Sequence, residues 1–105
     1  IKVNFWLNKN DADFPIYFVD IPEFFSGMES IYKTKFENQK FLVFDLACLK
    51  LLKYLDYKPN IIHCHDWHSG LIPQFLKEKN LKDSFFKETK TIFTIHNLIF
   101  QFVQN

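Results

Sequence analysis

Three short, β-rich apolar runs, separated by stretches of a different periodicity, limit what this chain can fold into. They are IYFVD at 16–20, NIIHCH at 60–65 and TIFTIH at 91–96. Between the first two, Phe41, Phe44, Cys48, Leu51, Leu52 and Leu55 recur at steps of three and four, the period of an amphipathic helix over 38–55. Asn38 is the expected N-cap. The helix should end near Tyr57, because Pro59 drives the residue before it out of the helical region. After the second run, a turn at 66–70 leads into a short helix over 71–79, where Pro73 falls in the first turn and its missing N–H breaks no helical bond. A polar segment, 80–90, precedes the third run. Strand, helix, strand, helix, strand, with strands of four to six residues, predicts an α/β fold: a parallel sheet flanked by helices.

The first run lies between Pro15 and Pro22 and reads as a buried strand, with any chemistry near Asp20. Residues 21–36, with Pro22, Gly27 and the Phe24–Phe25 pair, lack periodicity and read as a long loop. At 105 residues, 48% hydrophobic and 24% charged, the chain has room for one compact domain at most. The 13 basic side chains are all lysine and the net charge of +1 is spread along the chain. No basic stripe exists to neutralise a run of phosphates, which excludes nucleic acid as a partner. Asp45 and Lys50 interrupt the longest apolar stretch, 41–52, so no membrane span is expected. Cys48 and Cys64 fall inside helix and strand patterns as small buried hydrophobes, which favours a reducing, cytoplasmic setting. The start at Ile1 and the stop at Asn105, just past an apolar stretch, lead us to expect that the natural protein is longer.

All four histidines sit at or just after expected strand ends: His63, His65 and His68 in HCHDWH, and His96 in TIHN. In open parallel sheets, ligands bind at the carboxyl ends of the strands, so two such ends rich in His, Asp and Asn suggest one site. Strand alternation sends His63 and His65 to one face and Cys64 to the other. His63 and His65 are expected to be covered and hydrogen-bonded, with only residues 66–68 escaping burial. His68, beyond the turn and near a helix start, is the leading functional candidate. Trp67 reads as a packing residue that locks the loop, Asp66 as a cap on the following helix, and Asn97 as a turn former.

A competing reading uses His63, His65 and His68 as ligands, since the run is similar to the HxHxDH metal motif of metallo-β-lactamases. Trp67 stands where that motif needs its acid, and Asp66 comes one residue early. The order of strands and helices also differs from those β-sandwich hydrolases.

Three motifs in order, VDIPEFF at 19–25, NIIHCHDWHSGLIPQFLK at 60–77 and TIFTIHNLIFQ at 91–101, resemble bacterial glycogen and starch synthases, over most of the chain. That resemblance implies a Rossmann-like sheet belonging to the N-terminal half of a two-domain GT-B glycosyltransferase. Residues 1–105 would form a single, incomplete N-terminal domain, with the C-terminal nucleotide-binding domain outside the chain. The implied reaction is transfer of glucose from ADP-glucose or UDP-glucose to the non-reducing end of an α-1,4-glucan, with retention and without metal or other cofactor. His68 is similar to the family histidine that lines the donor glucose site. Asp66, His96, Asn97 and Gln101 are similar to residues lining the same cleft, and Phe24–Phe25 would lie towards the glucan.

The sequence departs from the family pattern at Phe100 and Phe102, which replace Tyr and Gly, and at Lys40, which replaces an arginine and loses its bidentate pairing. The family's Lys-x-Gly-Gly-Leu signature does not occur in the chain. The chain alone is expected to be inactive and to self-associate through uncovered strand edges. Beside the synthase reading stand the metal-dependent hydrolase and a non-catalytic carbohydrate-binding α/β module.

Overall fold

A computed structural model describes residues 2–8, 14–25, 37–78 and 84–97. The chain divides into two compact units, Ile1–Leu51 and Leu52–Asn105.

In the first unit, β1 (Asn4–Asn8) pairs antiparallel with β2 (Ile16–Asp20), Asn4 opposite Asp20 and Trp6 opposite Phe18. Asn4 Nδ2 donates to Asp20 Oδ2 at 3.4 Å, which closes the end of the pair. The expected run at 16–20 is therefore a strand, but its partner is a segment before it, and its residues are half-buried apart from exposed Phe18. Part of the expected loop at 21–36 is helical: Pro22 opens a short helix, α1 (Pro22–Phe25), at the first position, where proline's fixed φ suits a helix. Phe24 N donates to the carbonyl of fully buried Ile21.

Helix α2 (Glu37–Tyr54) starts one residue ahead of Asn38, which lies inside the helix and is not its cap. Phe41 and Leu51 are buried as the periodicity predicts, but so are Ala47, Leu49 and, at 0% exposure, Lys40 and Asp45. At 100° per residue these positions fall on more than one side of the helix, in place of the single apolar stripe expected from its sequence. The helix ends before Leu55, and its stop is a backbone motif. Tyr57 N donates to Leu52 O and Asp56 N to Lys53 O, both at 3.0 Å, while Asp56 adopts φ 53. This is a Schellman closure with aspartate in the left-handed position that glycine usually takes. Pro59 follows it and does not itself set the end.

The second unit is built on a parallel pair, β3 (Ile61–His65) and β4 (Lys90–Thr94), with Ile61 opposite Lys90 and His65 opposite Thr94. Parallel neighbours need a crossover, and it contains a 3-10 turn at Trp67–Ser69, α3 (Leu71–Lys77) and a second 3-10 turn at Ser84–Phe86. Lys90 N to Asn60 O at 2.9 Å and Thr89 Oγ1 to Pro59 O at 2.8 Å fasten the start of the pair. Among the described residues of this unit, Cys64, Ile72 and Phe86 are the buried apolar ones. The architecture is thus small and mixed α/β, its parallel order carried by β3 and β4. Among the described residues no helix is long and apolar enough to cross a membrane.

Candidate functional site

The carboxyl ends of β3 and β4 lie side by side, because the register puts His65 against Thr94 and the ladder runs one step further, Asp66 N donating to Thr94 O at 2.9 Å. His63, His65, Asp66 and His96 are thereby gathered at one edge.

Alternation along β3 is as expected: Cys64 is buried on one face and His63 and His65 share the other. Their burial is the reverse of the expectation, however. His63 and His65 are exposed, whereas Asp66, Trp67 and His68 are half-buried. Among the described residues the sheet has two strands, which leaves that face of β3 open, while the turn after β3 comes against β4, with Gly70 beside the Phe93 ring. Both exposed rings are nonetheless hydrogen-bonded. His63 Nε2 meets Thr94 Oγ1 at 2.7 Å and His65 Nδ1 meets His96 Nε2 at 2.9 Å. The three imidazoles form a column, with centroids 4.1 Å apart from His63 to His65 and 5.2 Å from His65 to His96. In the His65–His96 bond one ring must donate and the other accept, so their tautomers are coupled.

Asp66 stands at the N-cap position of the 3-10 turn, but its side chain makes no cap bond there. Its Oδ1 crosses to the loop after β4 and accepts from His96 N at 2.6 Å and Asn97 N at 3.3 Å. The expected cap is therefore a cross-strand acceptor. Those N–H donors, His96's first, hold the Asp66 carboxyl below its ordinary pKa, with a smaller contribution from the His96 and His68 imidazoles. The backbone of Asp66, at φ 59 and ψ −180, lies in a region that is almost exclusively glycine's, at a cost of about 1–3 kcal/mol.

The single Ser69 O–H is shared between His65 O at 2.9 Å and Asp66 O at 3.2 Å, which ties the turn back to the end of β3. Gly70 follows because space is short: a Cβ there would come within 3.2 Å of the Trp67 carbonyl and 3.8 Å of the Phe93 ring. His68 lies in the 3-10 turn with its ring stacked on Trp67, centroids 4.3 Å apart and planes 27° apart. Trp67 Nε1 is shut away from solvent, in keeping with a ring that locks the loop, but so is His68 Nε2, contrary to the expectation that residues 66–68 escape burial.

His96 and Asn97 are exposed and lie just past β4, which ends at Thr94, two residues short of the expected end. Gln101, Phe100 and Phe102 lie outside the described residues, as does the side chain of Phe25; Phe24 is half-buried. Among the described residues no group of three or more His, Cys, Asp or Glu side chains is arranged to hold a metal ion. Histidine, aspartate and asparagine at this edge are suited to hydrogen-bonding hydroxyls and to stabilising positive charge developing nearby. A cavity of about 310 Å³, lined by Pro73, Lys77, Phe86, Lys87 and Lys90 among others, lies at the opposite end of the sheet, where β4 begins.

A β-helix-β unit with polar groups gathered at its carboxyl edge makes the second unit a small mixed α/β structure. Residues 1–105 match in full the family described as the starch synthase catalytic domain, and the chain belongs to that family. It is 46% identical to a glycogen synthase of Anoxybacillus flavithermus over 81% of its own length and 17% of the relative's. With glycogen synthases of Clostridium botulinum (strain Alaska E43) and Geotalea daltonii the identities are 48% and 40%, over 81% and 96% of this chain and 18% and 22% of theirs. The chain thus spans about a fifth of the length of these relatives. No solved structure matches it.

Proposed function

We propose that this chain is part of the N-terminal, Rossmann-like domain of a GT-B glycogen or starch synthase. The full-length protein would transfer glucose from ADP-glucose or UDP-glucose to the non-reducing end of an α-1,4-glucan with retention, in the cytoplasm. The observation that carries this reading is the family match along all 105 residues, joined to a sheet edge where His65, Asp66, His68 and His96 come from two adjacent strand ends.

In this reading His68 lines the donor glucose site. Held against Trp67 and with its Nε2 covered, the ring would act through the rest of its edge, orienting the sugar and meeting the positive charge that develops at the anomeric carbon, a geometric and electrostatic contribution. His96, Asn97 and Gln101 would contact or support the sugars beside it, with Asp66 at their base. The nucleotide diphosphate would be held by a second domain outside this chain, which is why the chain alone should not catalyse transfer.

The test is glucan elongation by the full-length protein with each nucleotide sugar, with and without chelator, for wild type and His68→Ala. Removing a group that stabilises transition-state charge should lower kcat by about 100- to 1000-fold. Activity should survive the chelator. No transfer from either donor would overturn the reading, and activity lost to chelator and restored by zinc would favour the metal-dependent hydrolase.

A further inference from the structure

Asp66 combines two features, a strained backbone and a cross-strand carboxylate. Its backbone holds φ 59, where an aspartate is strained and a glycine is not. Its carboxylate is at the same time spent on main-chain donors thirty residues away, His96 N at 2.6 Å and Asn97 N at 3.3 Å, both through Oδ1. Were the turn after β3 all that mattered, glycine would make it with less strain. An aspartate held there against its preference marks the bond to β4's loop as the feature being kept.

What that bond fixes is the position of His96. Past Thr94 the two strands no longer pair, and Asp66 N to Thr94 O is the last ladder bond. From there the Asp66 carboxylate takes over, accepting from the amides of His96 and Asn97. His96 is then placed so that its Nε2 lies 2.9 Å from His65 Nδ1 and its ring stacks on the column begun by His63. Ser69, bonded to the carbonyls of His65 and Asp66, holds the other side of the same residue.

We propose that Asp66 is a positioning residue and not a sugar ligand: it clamps the loop after β4 so that His96 and Asn97 stay at the edge that carries His68. This rests on the synthase reading for its catalytic consequence, and on the geometry alone for the clamp. A carboxylate acting on the sugar directly would need its charge and its acceptor oxygens. A clamp needs only an acceptor at Oδ1, which an asparagine supplies.

The experiment compares Asp66→Gly and Asp66→Asn in the full-length protein by hydrogen exchange of the peptide covering His96 and Asn97, by thermal melting, and by kcat and KM. Asp66→Gly removes the clamp and relieves the backbone strain, so it should fold with a melting temperature at or above that of wild type. Amide exchange at His96 and Asn97 should rise about tenfold, the weight of one charge-assisted hydrogen bond. Its kcat should fall by about tenfold or more for the same reason, with KM for the donor little changed. Asp66→Asn should keep both the slow exchange and most of kcat. Slow exchange retained in Asp66→Gly would overturn the clamp. A low kcat in Asp66→Asn with slow exchange intact would overturn the positioning role in favour of direct contact. Exchange reads the clamp even in a protein that transfers no glucose, so the failure of one reading is distinct from the failure of the other.

Discussion

At the scale of single residues, the turn after β3 is where small changes should have readable effects. Because the His96 and Asn97 amides hold the Asp66 carboxyl below its ordinary value, the folded state binds its proton less readily than the unfolded state does. The stabilising contribution is fully present above the unfolded carboxylate value, about 3.9, and is lost as pH falls through the lower folded value. The difference in melting temperature between wild type and Asp66→Asn should therefore be flat from pH 5 to 8 and should change only in more acid solution, wild type losing ground. A difference that varied instead around neutrality would mean that a histidine, not Asp66, governs it. Gly70 offers a second reading of the same turn. An added Cβ would press on the Trp67 carbonyl, which already accepts from Gly70 N at 3.0 Å, and on the Phe93 ring. Gly70→Ala should cost about 1 kcal/mol, visible in denaturant melts, as crowding does in a packed turn.

Elements differ in how plainly the sequence announces them, and the reasons are local. β3 and β4 emerge within two residues of their expected bounds, since β-branched and apolar runs flanked by Pro59, polar turns and His-Asn leave few alternatives. β1 is not foreshadowed: NFWLN is short, begins and ends in asparagine, and becomes a strand by pairing with β2. The burial of Lys40 and Asp45 runs against every sequence rule for charged residues, so the true buried surface of α2 is wider than its apolar spacing implies. At the site, the convergence of histidines on one edge is readable from strand ends, whereas the partner of Asp66 is not, because it lies thirty residues on and is chosen by strand register. The end of α2 was legible in place but not in cause. Asp56 sits at φ 53 in the Schellman closure, where glycine is less strained. Asp56→Gly should raise stability by up to about 1 kcal/mol in a thermal or urea melt; a loss would show that the Asp56 side chain makes a contact worth more than the strain.

For the molecule as a whole, the balance between covered and uncovered apolar surface is the telling quantity. Every described strand belongs to a two-stranded sheet, so among the described residues each has one edge without a strand partner. Large apolar side chains lie on those same sheets in the open: Trp6 at 62% and Phe18 at 55% exposure face each other across β1 and β2, and Ile61, Ile92 and Phe93 are exposed on β3 and β4. The relatives this chain matches are about five times longer; these 105 residues by themselves have only their own surface with which to cover such faces. Isolated, it should cover them with copies of itself. Light scattering on the isolated chain should then report dimers or larger species whose share rises with concentration. Trp6→Lys combined with Phe18→Glu, an opposite-charge pair at directly facing positions, should shift that distribution towards monomer while leaving the hairpin paired. A monodisperse monomer in the unaltered chain would mean that the two sheets are content as edges, and the exposed aromatic pair would then have to be explained as a surface kept open for something other than self-contact.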